Sequence, residues 1–266
     1  MKQRTAILLC LIFPWLCFST TPKQAGSAHD GPGAVLNQFL EFNNKEALQS
    51  QQARGLLTGE ALLWEIPSFG KLALAPDSLV MLDAKNAAGR VQWFGENDFV
   101  ADFYFYIRLD GKWKIHAMRR LALTGIVEDA FLYLKEKKDR TPDEEFQFRN
   151  SELTLATDSA LRAWFEKHRT SLEKIVTLAP VPPKSHVVAK GTNDVGSPEV
   201  KRLLRNLNLG SLEFDEQGNL QIAIGGITDN MVGFIYSPLN RPPSIDPSGY
   251  IWVEKLADKW FLFRTT

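Results

Sequence analysis

Apolar residues along this chain recur with two different periods, and the order of the two is repeated. Val35, Leu36, Phe39 and Leu40 fall at helical spacing, a polar NNKE follows, and a second helical stretch runs to about Trp64. Pro67 and Pro76 bracket an irregular connection. The period then shortens to two: strands are predicted at 78–83, 90–94, 98–109 and 112–123, divided by Gly89, Gly95 and Asp110-Gly111. Residues 126–138 return to a helical pattern, and the charged, proline-broken DRTPDEE after them is the expected boundary between two halves. Beyond it, Leu161, Trp164, Phe165, His168, Leu172, Ile175 and Val176 share one face of a helix over about 158–178. Ser197-Pro198-Glu199 starts a shorter helix with a serine cap, a proline where its missing N–H does no harm, and an acid in the first turn. Gly210 stands where that helix stops, and strands follow at about 211–215, 219–224, 231–236, 250–256 and 260–264.

Helices followed by hairpins in each half predict an α+β fold, with helices packed on one face of an antiparallel sheet. The expected halves are 30–124 and 151–266, joined over 125–150 by a connecting helix and a charged linker. Each ends in a hairpin with a tryptophan just past its turn, DGKWKI and ADKWFLFR, but identity between the halves is too low to show a duplication.

The first of these hairpins has two candidate registers. A two-residue turn at Asp110-Gly111 pairs Arg108 with Trp113 and Tyr106 with Ile115. One more loop residue collects Phe103, Phe105, Ile107, Leu109, Trp113, Ile115 and Ala117 on one side, and since a slip by one residue sends half of them to water, patterning favours this arrangement. The other side then carries Asp102, Tyr104, Tyr106, Arg108, Lys114, His116, Met118 and Arg120. That mixed aromatic and charged stripe suits a contact with the second half or with another chain, so Tyr104, Tyr106 and His116 are interaction-face candidates.

The first 28 residues change the picture of where the chain works. Lys2 and Arg4 precede AILLCLIFPWLCF, residues 6–18, and small and polar residues follow: the pattern of a secretory signal peptide, cleaved after Ser19 or Ala28. The apolar run is too short to span a bilayer comfortably, which takes about 20 residues. Cleavage after Ser19 removes both cysteines and two basic residues, leaving 29 basic side chains against 31 acidic. The remaining chain has no disulfide, no thiol nucleophile and no Asn-x-Ser/Thr sequon, which suits a bacterial envelope and places it in the periplasm or outside the cell. Balanced charge without long runs of one sign gives no reason to expect nucleic acid as a partner.

The order of helices, long strands and a closing DGKWKI hairpin resembles the cone-shaped fold of nuclear transport factor 2-like proteins, over residues 30–124. That superfamily includes ketosteroid isomerases, SnoaL-like polyketide cyclases and many exported proteins. The resemblance implies a pocket between sheet and helices, lined here by Phe103, Phe105, Ile107, Trp113 and Ile115, with Trp64 near its mouth and Arg119 at its rim. The second half, from LATDSALRAWFEKHRTSLEKI to its final hairpin, resembles a domain of uncharacterised bacterial exported proteins, which implies an address and no activity.

Catalytic patterns are sparse. His-Glu-x-x-His, Gly-x-Ser-x-Gly, a Walker loop and Gly-x-Gly-x-x-Gly are all absent from the sequence. Gly225-Gly226 lies in a strand-like stretch and reads as a bulge. The four histidines, His29, His116, His168 and His186, show no metal-ligand spacing, so neither metal nor cofactor is expected. In isomerases of the resembled superfamily a carboxylate acts as base beside a tyrosine; Asp102, Tyr104, Tyr106 and His116 have that chemistry but fall on the side away from the expected pocket, and Asp98 sits in a loop-like GEND. No catalytic residue is therefore assigned. The expectation is an exported, non-enzymatic binding or interaction protein of the cell envelope, with a small apolar ligand, an envelope protein or a second copy of itself as candidate partners. The alternative is an isomerase-like or cyclase-like enzyme acting in the cone.

Overall fold

Pro32 sits at the start of the first helix, α1 (Pro32–Asn44), where a missing N–H leaves no helical hydrogen bond unmade. The computed structural model describes residues 31–63, 71–94, 100–121, 124–179, 196–215 and 217–266. A short α2 (Gln51–Arg54) and a 3-10 turn (Gly59–Leu62) lead into a four-stranded antiparallel meander, β1 (Lys71–Met81), β2 (Asn86–Phe94), β3 (Val100–Asp110) and β4 (Lys112–Arg119). Val35, Leu36, Phe39 and Leu40 of α1 lie on Phe103, Phe105, Ile107 and Ile115, and the rings of Phe39 and Phe105 are 5.4 Å apart. Each such buried side chain contributes about 1.5–3 kcal/mol relative to an exposed one.

The stretch expected to link the halves is a helical hairpin, α3 (Thr124–Glu136) and α4 (Pro142–Leu155), with Phe131 stacked on Phe148 at 5.2 Å. The correction has a local cause. In DRTPDEE, Thr141 caps α4 and the side chain of Glu144 accepts from the Thr141 N–H at 2.9 Å, so the acids that read as a linker complement the positive end of a helix. Asn150 of α4 then donates to the carbonyls of Asn208 (2.9 Å) and Ile224 (2.5 Å), which joins α4 to the second half.

That half continues with α5 (Asp158–Leu178), α6 (Pro198–Asn206) and a five-stranded antiparallel sheet of β5 (Ser211–Phe214), β6 (Leu220–Ile227), β7 (Asn230–Tyr236), β8 (Trp252–Ala257) and β9 (Trp260–Arg264), in the spatial order β5-β6-β7-β9-β8. Its core joins Leu161, Phe165, Leu172 and Ile175 of α5 to Phe234, Trp260 and Leu262. His168 packs its ring 4.5 Å from that of Trp164. The chain is thus α+β, with two antiparallel sheets.

The register of β6 on β7 shifts between Ala223 and Gly225. Next to the shift, Gly226 has φ +146°, and a Cβ there would lie 2.0 Å from the Asn230 carbonyl oxygen. Gly226→Ala is expected to destabilise the protein by about 2 kcal/mol or more, since both strain and backbone overlap must be relieved. Thermal or urea unfolding of the variant checks this, and an unchanged midpoint would show that the β6–β7 turn adapts freely.

The seam between the halves as a candidate functional site

Near its turn the β3–β4 hairpin pairs Ile107 with Ile115 and Leu109 with Trp113, and Gly111 sits alone between Asp110 and Lys112 at φ +66°. One extra residue, His116, then interrupts the ladder, so that Tyr106 pairs with Ala117, Phe105 with Met118 and Tyr104 with Arg119. The bulge reverses the parity of the rest of β4. Ala117 and Arg119 therefore lie on the tyrosine side and Met118 on the Phe105 side, which corrects the expected placement of all three. Arg119 donates to the Pro247 carbonyl at 2.8 Å and pairs with Glu60 at 2.5 Å.

Phe103, Phe105, Ile107 and Ile115 are buried in the first core, with Trp113 half-buried at its edge. α1 lies directly on them, so these side chains meet helix rather than open space. Trp64, Asp98, His29, His186 and the expected signal segment lie outside the described residues.

The tyrosine side is covered by the second half of the same chain. Tyr104 is fully buried and stacks on Trp252 of β8, with centroids 5.2 Å apart. Tyr106 donates its hydroxyl to the Ile251 carbonyl at 2.5 Å. Ala88, Ala117, Ile251 and Trp252 complete this apolar seam.

Beside it lies a buried cluster of charges centred on Asp158, the first residue of α5. Its Oδ1 accepts from Arg264 Nε at 2.8 Å, while Oδ2 accepts from the Tyr104 hydroxyl at 2.9 Å and from Arg90 Nη1 at 3.1 Å. Arg90 also donates to Glu254 at 2.7 Å, and Glu254 is paired with Arg162 as well. The Asp158 backbone N–H donates to Asp102 Oδ2 at 2.7 Å. Cross-strand pairing sets each arginine beside an aromatic ring: Arg90 opposite Tyr104 in one sheet, Arg264 opposite Trp252 in the other. The two pairs face each other across the carboxylate.

Burial sets the ionisation here. Asp102 is pushed up to about 6, first by loss of solvent and then by the charge of Asp158, with Arg264 among the groups that pull it back. Burial likewise holds the Tyr104 hydroxyl well above its ordinary range, so it acts as a donor. Asp102 and Tyr104 thus hold an acid and a hydroxyl close together, but their bonds go to structural partners across the seam. Only part of this cluster is legible along the chain. Nothing in the sequence marks Arg90, Asp158, Glu254 and Arg264 as a group; the available signal is an arginine closing the apolar run WFLF and another within the β2 pattern.

A groove opens where the seam meets solvent. Its walls are the β1–β2 turn (Leu82, Asp83, Asn86), the hairpin (Tyr106, Arg108, His116) and the 244–247 segment before β8, and it encloses about 430 Å³. A neighbouring hollow of about 360 Å³ shares Arg108 and His116 and adds Thr58, Lys85 and Asp110. His116 is held on two sides. The bulge turns it outward, and Gly59 (φ +55°) approaches so closely that a Cβ there would lie 2.2 Å from the imidazole. Gly59 is placed by the 56–58 segment, which runs along β4 through Thr58 N–H to Ile115 carbonyl at 2.8 Å and Ile115 N–H to Leu56 carbonyl at 2.8 Å.

Among the described residues no three of the side chains His, Cys, Asp and Glu are gathered to hold a metal ion, and no helix is long and apolar enough to cross a membrane. Comparison with family models, with curated proteins and with solved structures finds no match, so the site is argued from its own geometry.

Proposed function

We propose that this chain is an exported, non-enzymatic binding protein of the cell envelope, and that its ligand sits in the groove at the seam. The groove itself carries the reading. Its volume lies within the range of about 300–1,000 Å³ that small-molecule sites occupy, such sites favour boundaries between structural units, and its walls mix aliphatic and aromatic surface with a few polar groups. The inner side of the cone is the weaker candidate, because Phe39 and its neighbours on α1 occupy the space that Phe105 faces. Catalysis is not favoured by any one observation: the acid with the raised ionisation, Asp102, bonds to the α5 backbone, away from the groove. Tyr104 and Tyr106, candidates for holding a partner, are engaged by the chain's own second half.

Native mass spectrometry of the protein purified from the envelope of cells that make it naturally tests both parts. The expected result is a chain cleaved after Ser19 or Ala28 that carries a discrete added mass, released on denaturation. Ser244→Trp, which places an indole in the groove from an exposed position, is expected to abolish the added mass. An uncleaved chain overturns the export reading, and an added mass that survives Ser244→Trp overturns the groove as its site.

A further inference from the structure

We propose that the seam groove recognises a small organic anion with a single carboxylate and an apolar body, with Arg108 as the group that holds the carboxylate. This rests on the reading of the groove as the ligand site and specifies what that site selects.

The cationic side chains of the groove and its neighbouring hollow are open donors. Among the described residues neither the Arg108 guanidinium nor the Lys85 ammonium has an ion pair or hydrogen-bond partner, and the His116 ring has no hydrogen bond. Two of the three acids nearby, Asp83 and Asp246, already accept bonds from the chain itself, while Asp110 lies on the neighbouring hollow. Asp83 Oδ1 accepts from the N–H groups of Lys85 (2.7 Å) and Asn86 (2.9 Å), and its Oδ2 accepts from the Asn86 side chain (2.8 Å). These bonds, that from the Asn86 side chain foremost, hold its carboxyl below the usual range, and the charge of Arg108 adds a smaller pull without an ion pair. Asp246 accepts from the Ser248 N–H at 2.7 Å and from the Ser248 hydroxyl. A ligand rich in acceptors completes what the chain leaves open. A guanidinium presents a planar fork that matches a carboxylate with two parallel bonds.

Charge restricts the ligand further. Asp83 and Asp246 border the groove with Arg108 and His116, and Asp110 borders the neighbouring hollow with Lys85, so the groove carries no strong positive field. A phosphate or another multiply charged anion would meet the carboxylates of Asp83 and Asp246 in the groove, whereas a monoanion can be held by local bonds alone. The remaining wall, from Leu82, Ile245 and Pro247 with the edge of Tyr106, takes an apolar body. His116 is positioned rather than free: the bulge and the close approach of Gly59 fix its ring at the boundary between the two hollows, where a nitrogen can donate to the second carboxylate oxygen.

The test uses the full chain, labelled with nitrogen-15, titrated at pH 7.5 with phenylacetate and, in parallel, with its neutral analogue phenylacetamide and with inorganic phosphate. Phenylacetate is expected to cause saturable shifts confined to the amides of Asn86, Arg108, His116 and Ile245. Phenylacetamide and phosphate are expected to bind at least ten-fold more weakly. Arg108→Gln, at an exposed strand position that leaves the core untouched, is expected to weaken phenylacetate by ten-fold or more, and His116→Gln by a smaller factor. Equal shifts from phenylacetate and phenylacetamide at these amides, or undiminished binding by Arg108→Gln, would overturn the carboxylate assignment while leaving the groove as the ligand site. Tighter binding of phosphate would replace it with an oxyanion site, and the absence of any shift at the groove would end it. The groove reading itself falls only if Ser244→Trp keeps the co-purified mass.

Discussion

Replacing Asp158 with alanine is expected to cost about 3–5 kcal/mol of folding stability, the usual loss when one partner of a buried ion pair is removed. Arg264 and Arg90, each about 4% exposed, would keep their charges inside the seam without the carboxylate that both now face. The Tyr104 hydroxyl would lose its acceptor at the same time. Because the cluster ties β2 and β3 of one half to α5, β8 and β9 of the other, the expected loss also has a shape. Urea unfolding followed by both fluorescence and far-ultraviolet circular dichroism should show coincident transitions for the native chain and separated ones for Asp158→Ala. Adding Arg264→Met to Asp158→Ala should cost less than the two single changes summed, because the orphaned charge is then gone. A loss below about 1 kcal/mol would mean that water or rearrangement solvates the arginines, and the seam would not be the joint described here.

The second large effect is one of pH, and its sign is opposite to that of ordinary carboxylates. Asp102 is raised from 3.8 to about 6, with Asp158, Arg264, Arg90 and Tyr104 as the charged and titratable groups facing it. Below about pH 4 the carboxyl carries a proton in both folded and unfolded chains. Between about 4 and 6 the folded chain keeps a proton that the unfolded chain has released, so stability from this group falls as pH rises through that window. Above about 6 both forms are ionised and the folded state holds a buried charge. The rise from 3.8 to about 6 corresponds to about 3 kcal/mol. Asp102→Asn removes the titration, so the difference in unfolding free energy between Asp102→Asn and the native chain should grow in favour of the variant from pH 5 to pH 7.5. A difference that is flat over this range, or that grows in the other direction, would show that Asp102 is ionised throughout and balanced by the arginines.

Much of the architecture is legible in the residues themselves. Leu161, Phe165, Leu172 and Ile175 mark α5 because the helical period is a local property, and Ser197-Pro198-Glu199 marks the start of α6 for the same reason. The DRTPDEE stretch misleads because a capping box and a linker use the same residues, acids and a proline; only the Glu144 bond back to Thr141 separates them. In the hairpin, alternation correctly sets Ile107 and Ile115 on one side yet fails beyond His116, since a bulge shifts register without leaving a pattern in a run as mixed as KIHAMRR. Arg119 changes sides on that account alone.

The groove is less legible still. Arg108 and His116 are close in the hairpin, but the third wall comes from 244–247, well over a hundred residues away. Tyr104 and Tyr106 stand out as a stripe meant for contact; that the contact is Trp252 and Ile251 depends on how the halves dock.

By itself the sequence determined the class of the fold and most of its long elements, α5 and the β3–β4 hairpin above all, because periods of 3.6 and 2 and the capping of helix ends are set by neighbours in the chain. The tertiary structure alone decided which faces those elements show each other. The bulge at His116 chose the side of Arg119, and Asp158 met Arg264, 106 residues on, because a buried carboxylate is stable only where the folded chain delivers an opposing charge.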